Sequence, residues 1–202
     1  MLYITIEPFS VFDEATDSFI TVDTQVQLEL ENSLYAISEW EKKYKKPWFP
    51  DTNKSAYAKK QESGKTPEEM LYFIKCMIVN YKENEIDEKW MFGLNEENYK
   101  MISEYLQDSQ SGLKSIPETK PDKKHKRDQV RMTSERIYAW MFELQIPMQA
   151  EFWNINRLMN VIQIINYDNT PDDRKKSQKP FEVAQDYAKI NEQRLKQLGT
   201  KG

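Results

Sequence analysis

Near residue 32 the chain changes its hydrophobic period from two to 3.6, so it must build a β-ribbon first and lay helices against it afterwards. Leu2, Ile4 and Ile6 alternate with polar neighbours, and Ile20, Val22, Val26, Leu28 and Leu30 keep one even-numbered phase. Successive strand residues face opposite sides, so both runs are strands with one apolar face. "DEATDS" between them reads as a hairpin turn. A two-stranded ribbon is marginal alone in water, so its apolar face must rest on the following helices or on another chain. The expectation is an α+β fold, with an N-terminal β-ribbon followed by a mostly α-helical bundle, in a single domain over 1–202.

From Asn32 the residues Leu34, Ile37, Ser38, Glu41 and Lys45 fall at helical spacing, until "KKPWFPDT" stops the helix at Pro47. Thr66, Pro67, Glu68 and Glu69 supply a capping hydroxyl, a proline at the first helical position and acids against the dipole. That helix is predicted to run to about Tyr81 on the stripe Met70, Phe73, Ile74, Met77, Ile78 and Tyr81, with Cys76 beside it. Asn95 caps a helix through Leu106, with Tyr99, Ile102 and Leu106 on one face. Thr133 caps another, with the stripe Ile137, Trp140, Met141 and Leu144, ended by Pro147. Residues 150–166 read as one more helix, and a polar one covers about 180–198. The organisation is therefore a ribbon (2–31), a first helical part (32–108), a charged linker loop (109–131), a central helix pair (132–166) and a polar C-terminal helix and tail (167–202).

Residues 133–171 hold the densest apolar run in an otherwise polar chain. Burying a dozen large side chains at roughly 1.5–3 kcal/mol each is what such a chain needs against its ordering entropy. The helix pair with Trp140 and Trp153 is accordingly the expected core. Hydrophobic residues make up 39% and charged residues 31%, which is too apolar for wholesale disorder.

Several chemistries are excluded by what is scarce. One cysteine, Cys76, rules out an intramolecular disulfide or a cysteine-rich metal site, and fits a reducing compartment. The single histidine, His125, lies in "KPDKKHKRD", and reads as a solvated loop residue. A triad needing a histidine base would have to recruit that residue, and histidine-rich metal sites are excluded. The five glycines stand at boundaries or termini, so none builds a phosphate-cradling loop. Cys76 reads as a small buried hydrophobe, and Glu143 and Glu151 as solvated or capping carboxylates. No catalytic, cofactor-binding or metal-binding residue is assigned, and no enzyme activity is expected. A net charge of −4 and a pI near 5.3 argue against a protein that coats nucleic acid. No run approaches the roughly 18 apolar residues of a membrane span, and the first residues lack a signal-peptide pattern, so the expectation is a soluble, cytoplasmic protein.

The helix pair 133–166, together with the edge of the ribbon, is the expected partner surface, and a basic segment is a second stretch suited to contacts. Along 150–166, Phe152, Ile155, Leu158, Met159, Ile162 and Ile165 cover one broad side of a helix, while Asn156, Arg157, Asn160 and Gln163 form a second, amide-rich stripe beside Trp153. Such a stripe can hydrogen-bond a partner or simply pack on a neighbouring helix. The segment from Lys120 to Arg131 has a local charge of +4, including Lys123, Lys124, Lys126 and Arg127. It can contact phosphates or acidic proteins, but has no interleaved aromatics for stacking bases, and a solvated linker is its ordinary meaning.

The collinear order of "VQLELENSLYAISEWEKKYKKPWF" (26–49), "EEMLYFIKCM" (68–77), "TSERIYAWMFELQIP" (133–147), "WNINRLMNVIQIIN" (153–166) and the ending "NEQRLKQLGTKG" resembles the tail assembly chaperones of long-tailed phages and prophages. The likeness covers most of the chain and is weak in 50–65 and 109–131. Family members often carry a basic, His-containing stretch where this chain has "EFWNINR", and a short loop where it has "SIPETKPDKKHKRD". The resemblance implies a non-enzymatic protein of the host cytoplasm that binds the apolar, helical tape measure protein. It would keep that partner soluble while tail tube protein polymerises around it. Nine methionines and polar termini suit an adaptable holdase. The rival classes are a structural component of the virion neck, tail or capsid, and a DNA-contacting packaging accessory resting on the basic loop. The sequence leaves self-association open.

Overall fold

The computed structural model describes residues 1–14, 17–50, 65–80, 88–112, 131–172 and 175. The fold is α+β. Four strands come first, β1 (Leu2–Ile6), β2 (Phe9–Asp13), β3 (Ser18–Val22) and β4 (Val26–Leu30). The α-helices follow as α1 (Leu34–Tyr44), α2 (Pro67–Met77), α3 (Glu96–Gln107), α4 (Ser134–Glu143) and α5 (Ile155–Asp168), with 3-10 turns η1 (Glu88–Gly93) and η2 (Met148–Phe152). Of the described residues, those within 1–112 and 131–162 belong to one compact unit, and 163–172 and 175 to a second. The expected helix at 180–198 and the basic stretch Lys123, Lys124, Lys126 and Arg127 with His125 lie outside the described residues.

The ribbon is antiparallel throughout but changes register midway. β1 pairs with β4, Leu2 opposite Leu30 and Ile6 opposite Val26, whereas β2 pairs with β3, Phe9 opposite Val22 and Asp13 opposite Ser18. Two residues join β1 to β2 and three join β3 to β4, so one strand carries an extra residue at the junction. Ile4, Ile6, Leu28 and Leu30 are buried, as their phase requires. The open side of β4 is covered: Glu31 N donates to Met77 O at 2.8 Å and Val79 N to Glu29 O at 2.8 Å. This is why α2 stops at Met77 and not near Tyr81. Ile78 turns extended, with φ −69° and ψ 115°, and bridges Leu30. β-branched Ile78 and Val79 suit that conformation better than another helical turn.

α1 starts where Ser33 Oγ accepts from Ala36 N at 3.2 Å and ends at Lys45, whose left-handed φ of 55° precedes the Lys46–Pro47 pair. α2 has the full capping box: Glu69 N donates to Thr66 Oγ1, and Thr66 N to Glu69 Oε2. Glu69 is buried and bonded by Lys46 Nζ at 2.6 Å, and this partner holds its carboxyl below the usual range. Trp40 donates its Nε1–H to the Glu69 carbonyl at 3.0 Å, joining α1 to α2. Trp48 stacks on Phe73 at 3.7 Å and meets Trp40 edge-on at 5.1 Å.

α4 begins differently from its sequence reading. Thr133 occupies the cap position but makes no side-chain cap bond. The acceptor is Glu41 of α1, whose Oε2 takes Ser134 N at 2.8 Å and Ser134 Oγ at 2.5 Å, while Oε1 takes Trp48 N at 2.6 Å. α4 closes in a Schellman motif: Ile146 N reaches Met141 O at 2.8 Å and Gln145 N reaches Phe142 O at 3.2 Å, with Gln145 at φ 56° where glycine is usual.

The core is also not where apolar density alone places it. Trp40 and Trp90 are the fully buried tryptophans, Phe73, Leu28, Leu30, Leu34 and Ile37 are fully buried as well, and the helix pair contributes Ile137, Met141, Ile155, Leu158 and Ile162. Trp140 is half-buried, and Trp153 is 41% exposed. Ribbon and α1 carry more of the interior than their composition suggests, because the ribbon has one face to bury and α1 packs on both α2 and α4.

Two changes test this construction. Glu41→Ala leaves three buried or half-buried donors without an acceptor and is expected to cost about 3 kcal/mol, read from the urea midpoint. At Gly93 an added Cβ falls 2.4 Å from the Phe9 ring and 2.5 Å from Ile6 Cγ2. Gly93→Ala is therefore expected to cost about 1–3 kcal/mol in the same measurement.

Candidate functional site

The titratable groups of the interior point to structure rather than reactivity. Burial pushes the Cys76 thiol up to about 11 and the Tyr72 hydroxyl up to about 12. A thiol held that high carries almost no thiolate at neutral pH and is a poor nucleophile. Burial lowers Lys65, which lies 3.8 Å over the Trp48 ring and donates to Trp48 O at 3.2 Å. Burial and a bond to Glu151 raise the Tyr138 hydroxyl, which donates to Glu151 Oε2 at 2.8 Å. Among the described residues no group of three or more His, Cys, Asp and Glu is placed to hold a metal ion. Among them, too, no helix is long and apolar enough to cross a membrane.

The region expected to contact partners is the start of α5, and Asn154 builds it. The predicted helix over 150–166 is interrupted there, because Ile155 N turns away to donate to Asn32 O at 2.7 Å and Asn154 bridges Ser33. Asn154 Oδ1 accepts from Asn156 N at 3.0 Å, an N-cap for α5. Its buried Nδ2 donates to Glu31 Oε1 at 3.1 Å and to the Tyr105 hydroxyl at 3.2 Å. Tyr105 in turn donates to Glu31 Oε1 at 2.5 Å, and burial with that bond raises its hydroxyl well above the tyrosine range. The sequence signal for Asn154 was present, an asparagine just before an apolar helical run, but the continuous apolar character of 150–166 hid it.

The amide-rich stripe faces inward as much as outward. Asn156 Nδ2 donates to Asp108 O at 2.6 Å and to Leu106 O at 3.3 Å, and Asn160 Nδ2 donates to Ser109 O at 3.0 Å. These carbonyls lie at and just beyond the end of α3, where helix acceptors have no intrahelical partner. Two of the stripe's amides thus fasten the α3 exit to α5. Arg157 sits 5.5 Å over the Trp153 ring, and Gln163 is exposed. The described residues bring Trp153, Arg157, Asn156 and Asn160 to one end of α5, with the asparagines already engaged.

Large apolar side chains are exposed as well. Phe142 is 70% exposed, Phe152 57%, Trp153 41% and Met148 39%. Tyr35 of α1 meets Phe152 at 5.4 Å between ring centroids and is itself exposed. Phe152 and Trp153 are pushed outward by the same break that buries Asn154 and Ile155. No family model, curated protein or solved structure matches the chain.

Changing Asn156 and Asn160 together to Ala is expected to cost about 1–2 kcal/mol, since carbonyls at the α3 exit lose their donors. Phe142→Ser, by contrast, should leave the midpoint within about 0.5 kcal/mol. Chemical denaturation of the two variants separates the amide fastening from the exposed surface.

Proposed function

We infer that this protein is a tail assembly chaperone of a long-tailed phage or prophage. It binds the apolar, helical tape measure protein in the host cytoplasm, keeps it soluble while tail tube protein polymerises around it, and catalyses no reaction. The observation that carries the reading is the set of large apolar side chains left in solvent between the end of α4 and the start of α5 in the sequence, Phe142, Met148, Phe152 and Trp153, with Tyr35 of α1 beside Phe152. Large apolar side chains left exposed are characteristic of binding surfaces. Phe, Trp and Met are also the side chains that grip an amphipathic helix with little positional demand. The order of the five segments supports the same reading.

Co-expression with the tape measure protein tests it. The protein is expected to move tape measure protein from the pellet to the soluble fraction and to co-purify with it. Changing Phe142, Phe152 and Trp153 to Asp is expected to reduce recovery of the complex at least about tenfold with the fold retained. Finished particles should lack the protein. Its presence in them at fixed stoichiometry would assign it instead to the virion structure.

A further inference from the structure

The two halves of the ribbon treat their edges differently. Along β4 the outward backbone groups are taken by Met77, Val79 and the Asn80 side chain. Along 9–12 and 19–22, nothing among the described residues bonds to the backbone except the opposing strand. Half of the N–H and C=O groups of an edge strand point away from its partner, so this hairpin presents open ladder positions.

Natural proteins protect such edges with lysines, prolines, bulges or a covering helix. Strands β2 and β3 contain neither lysine nor proline. Their root is anchored, with the Phe9 ring against Gly93 of η1. The other face, formed by Ser10, Phe12, Phe19 and Thr21, is open: Phe12 is 48% and Phe19 69% exposed, and the two rings meet edge-on with centroids 5.2 Å apart.

Charge selects what fits. Residues 1–41 hold nine Asp and Glu and not one Lys, Arg or His. Glu7, Asp13, Glu14, Asp17 and Asp23 all lie in or beside the hairpin. A second copy of the hairpin brings the same negative rim and is repelled, as is a nucleic acid. An extended segment with apolar residues at alternate positions and Lys or Arg between them completes the ladder, covers Phe12 and Phe19 and sets cations against the rim.

We propose that the β2–β3 hairpin is a docking edge for an extended, basic segment of a partner protein, which adds to it as a third strand. It uses residues remote in sequence from those of the tape-measure reading, and either stands if the other fails.

The test titrates the full chain with a labelled peptide of about ten residues alternating valine and lysine, and with its valine–glutamate counterpart. The lysine peptide is expected to bind, with affinity falling at least about tenfold between about 0.05 and 0.5 M salt, and the glutamate peptide not to bind. Phe12→Lys with Phe19→Lys is expected to weaken binding at least about tenfold with an unchanged circular dichroism spectrum. Phe19→Lys alone, at the more exposed ring, serves if the double variant misfolds. Glu7→Gln, Glu14→Gln and Asp23→Asn together should flatten the salt dependence. Equal binding of the glutamate peptide, or binding indifferent to Phe19→Lys, overturns the proposal. So does hairpin-dependent self-association without peptide binding, which would make a second copy the occupant.

Discussion

A single buried carboxylate holds three parts of the chain together. Glu41 points from α1 into the interior, where its oxygens take the backbone of Trp48, the backbone of Ser134 and the Ser134 hydroxyl. A carboxylate in such a place is tolerable only when its lone pairs are filled by donors, and donors at a helix start are the ones with no helical partner. The bond to Trp48 fixes the chain where it leaves α1, which sets the ring that stacks on Phe73. The bonds to Ser134 fix the first turn of α4, 93 residues further along. Aromatic packing between α1 and α2 and the placement of α4 beside α1 therefore share one anchor.

Glu31 repeats the principle at the ribbon's end. Its Oε1 accepts from Tyr105 of α3 and from Asn154 at the start of α5. Strand, middle helix and last described helix thus meet at one acidic side chain, and the neighbouring Asn32 carbonyl takes Ile155 N. The apolar core supplies bulk attraction without direction, while these two carboxylates decide which helix ends meet which loops.

Local features were legible in the sequence and long-range ones were not. The period-two phases of Ile4, Ile6, Leu28 and Leu30, the capping residues Thr66 and Asn95, and the stop before Pro47 all rest on neighbours within a few residues, where stereochemistry alone decides. Glu41 looked like one more polar position of an amphipathic helix, because its partner lies far along the chain. Trp153 looked like core, because periodicity cannot see the turn that Asn32 and Asn154 impose. Asn156 and Asn160 were legible as an amide stripe, yet whether those amides met a partner or the α3 exit depended on where α3 ended. The register change at the middle of the ribbon was also hidden: the return strand keeps its even phase through 20–30, and only pairing reveals the extra residue.

Asn80 places its side-chain amide where another peptide group would sit, donating to Gln27 O at 3.1 Å and accepting from Glu29 N at 3.3 Å. A side chain that imitates the main chain fills two ladder positions and offers none beyond them. Growth of the sheet past β4 is thereby terminated, as a chain-ending monomer terminates a polymer. Closure there confines strand addition to the β2–β3 half of the ribbon, whose strands carry no such terminator among the described residues.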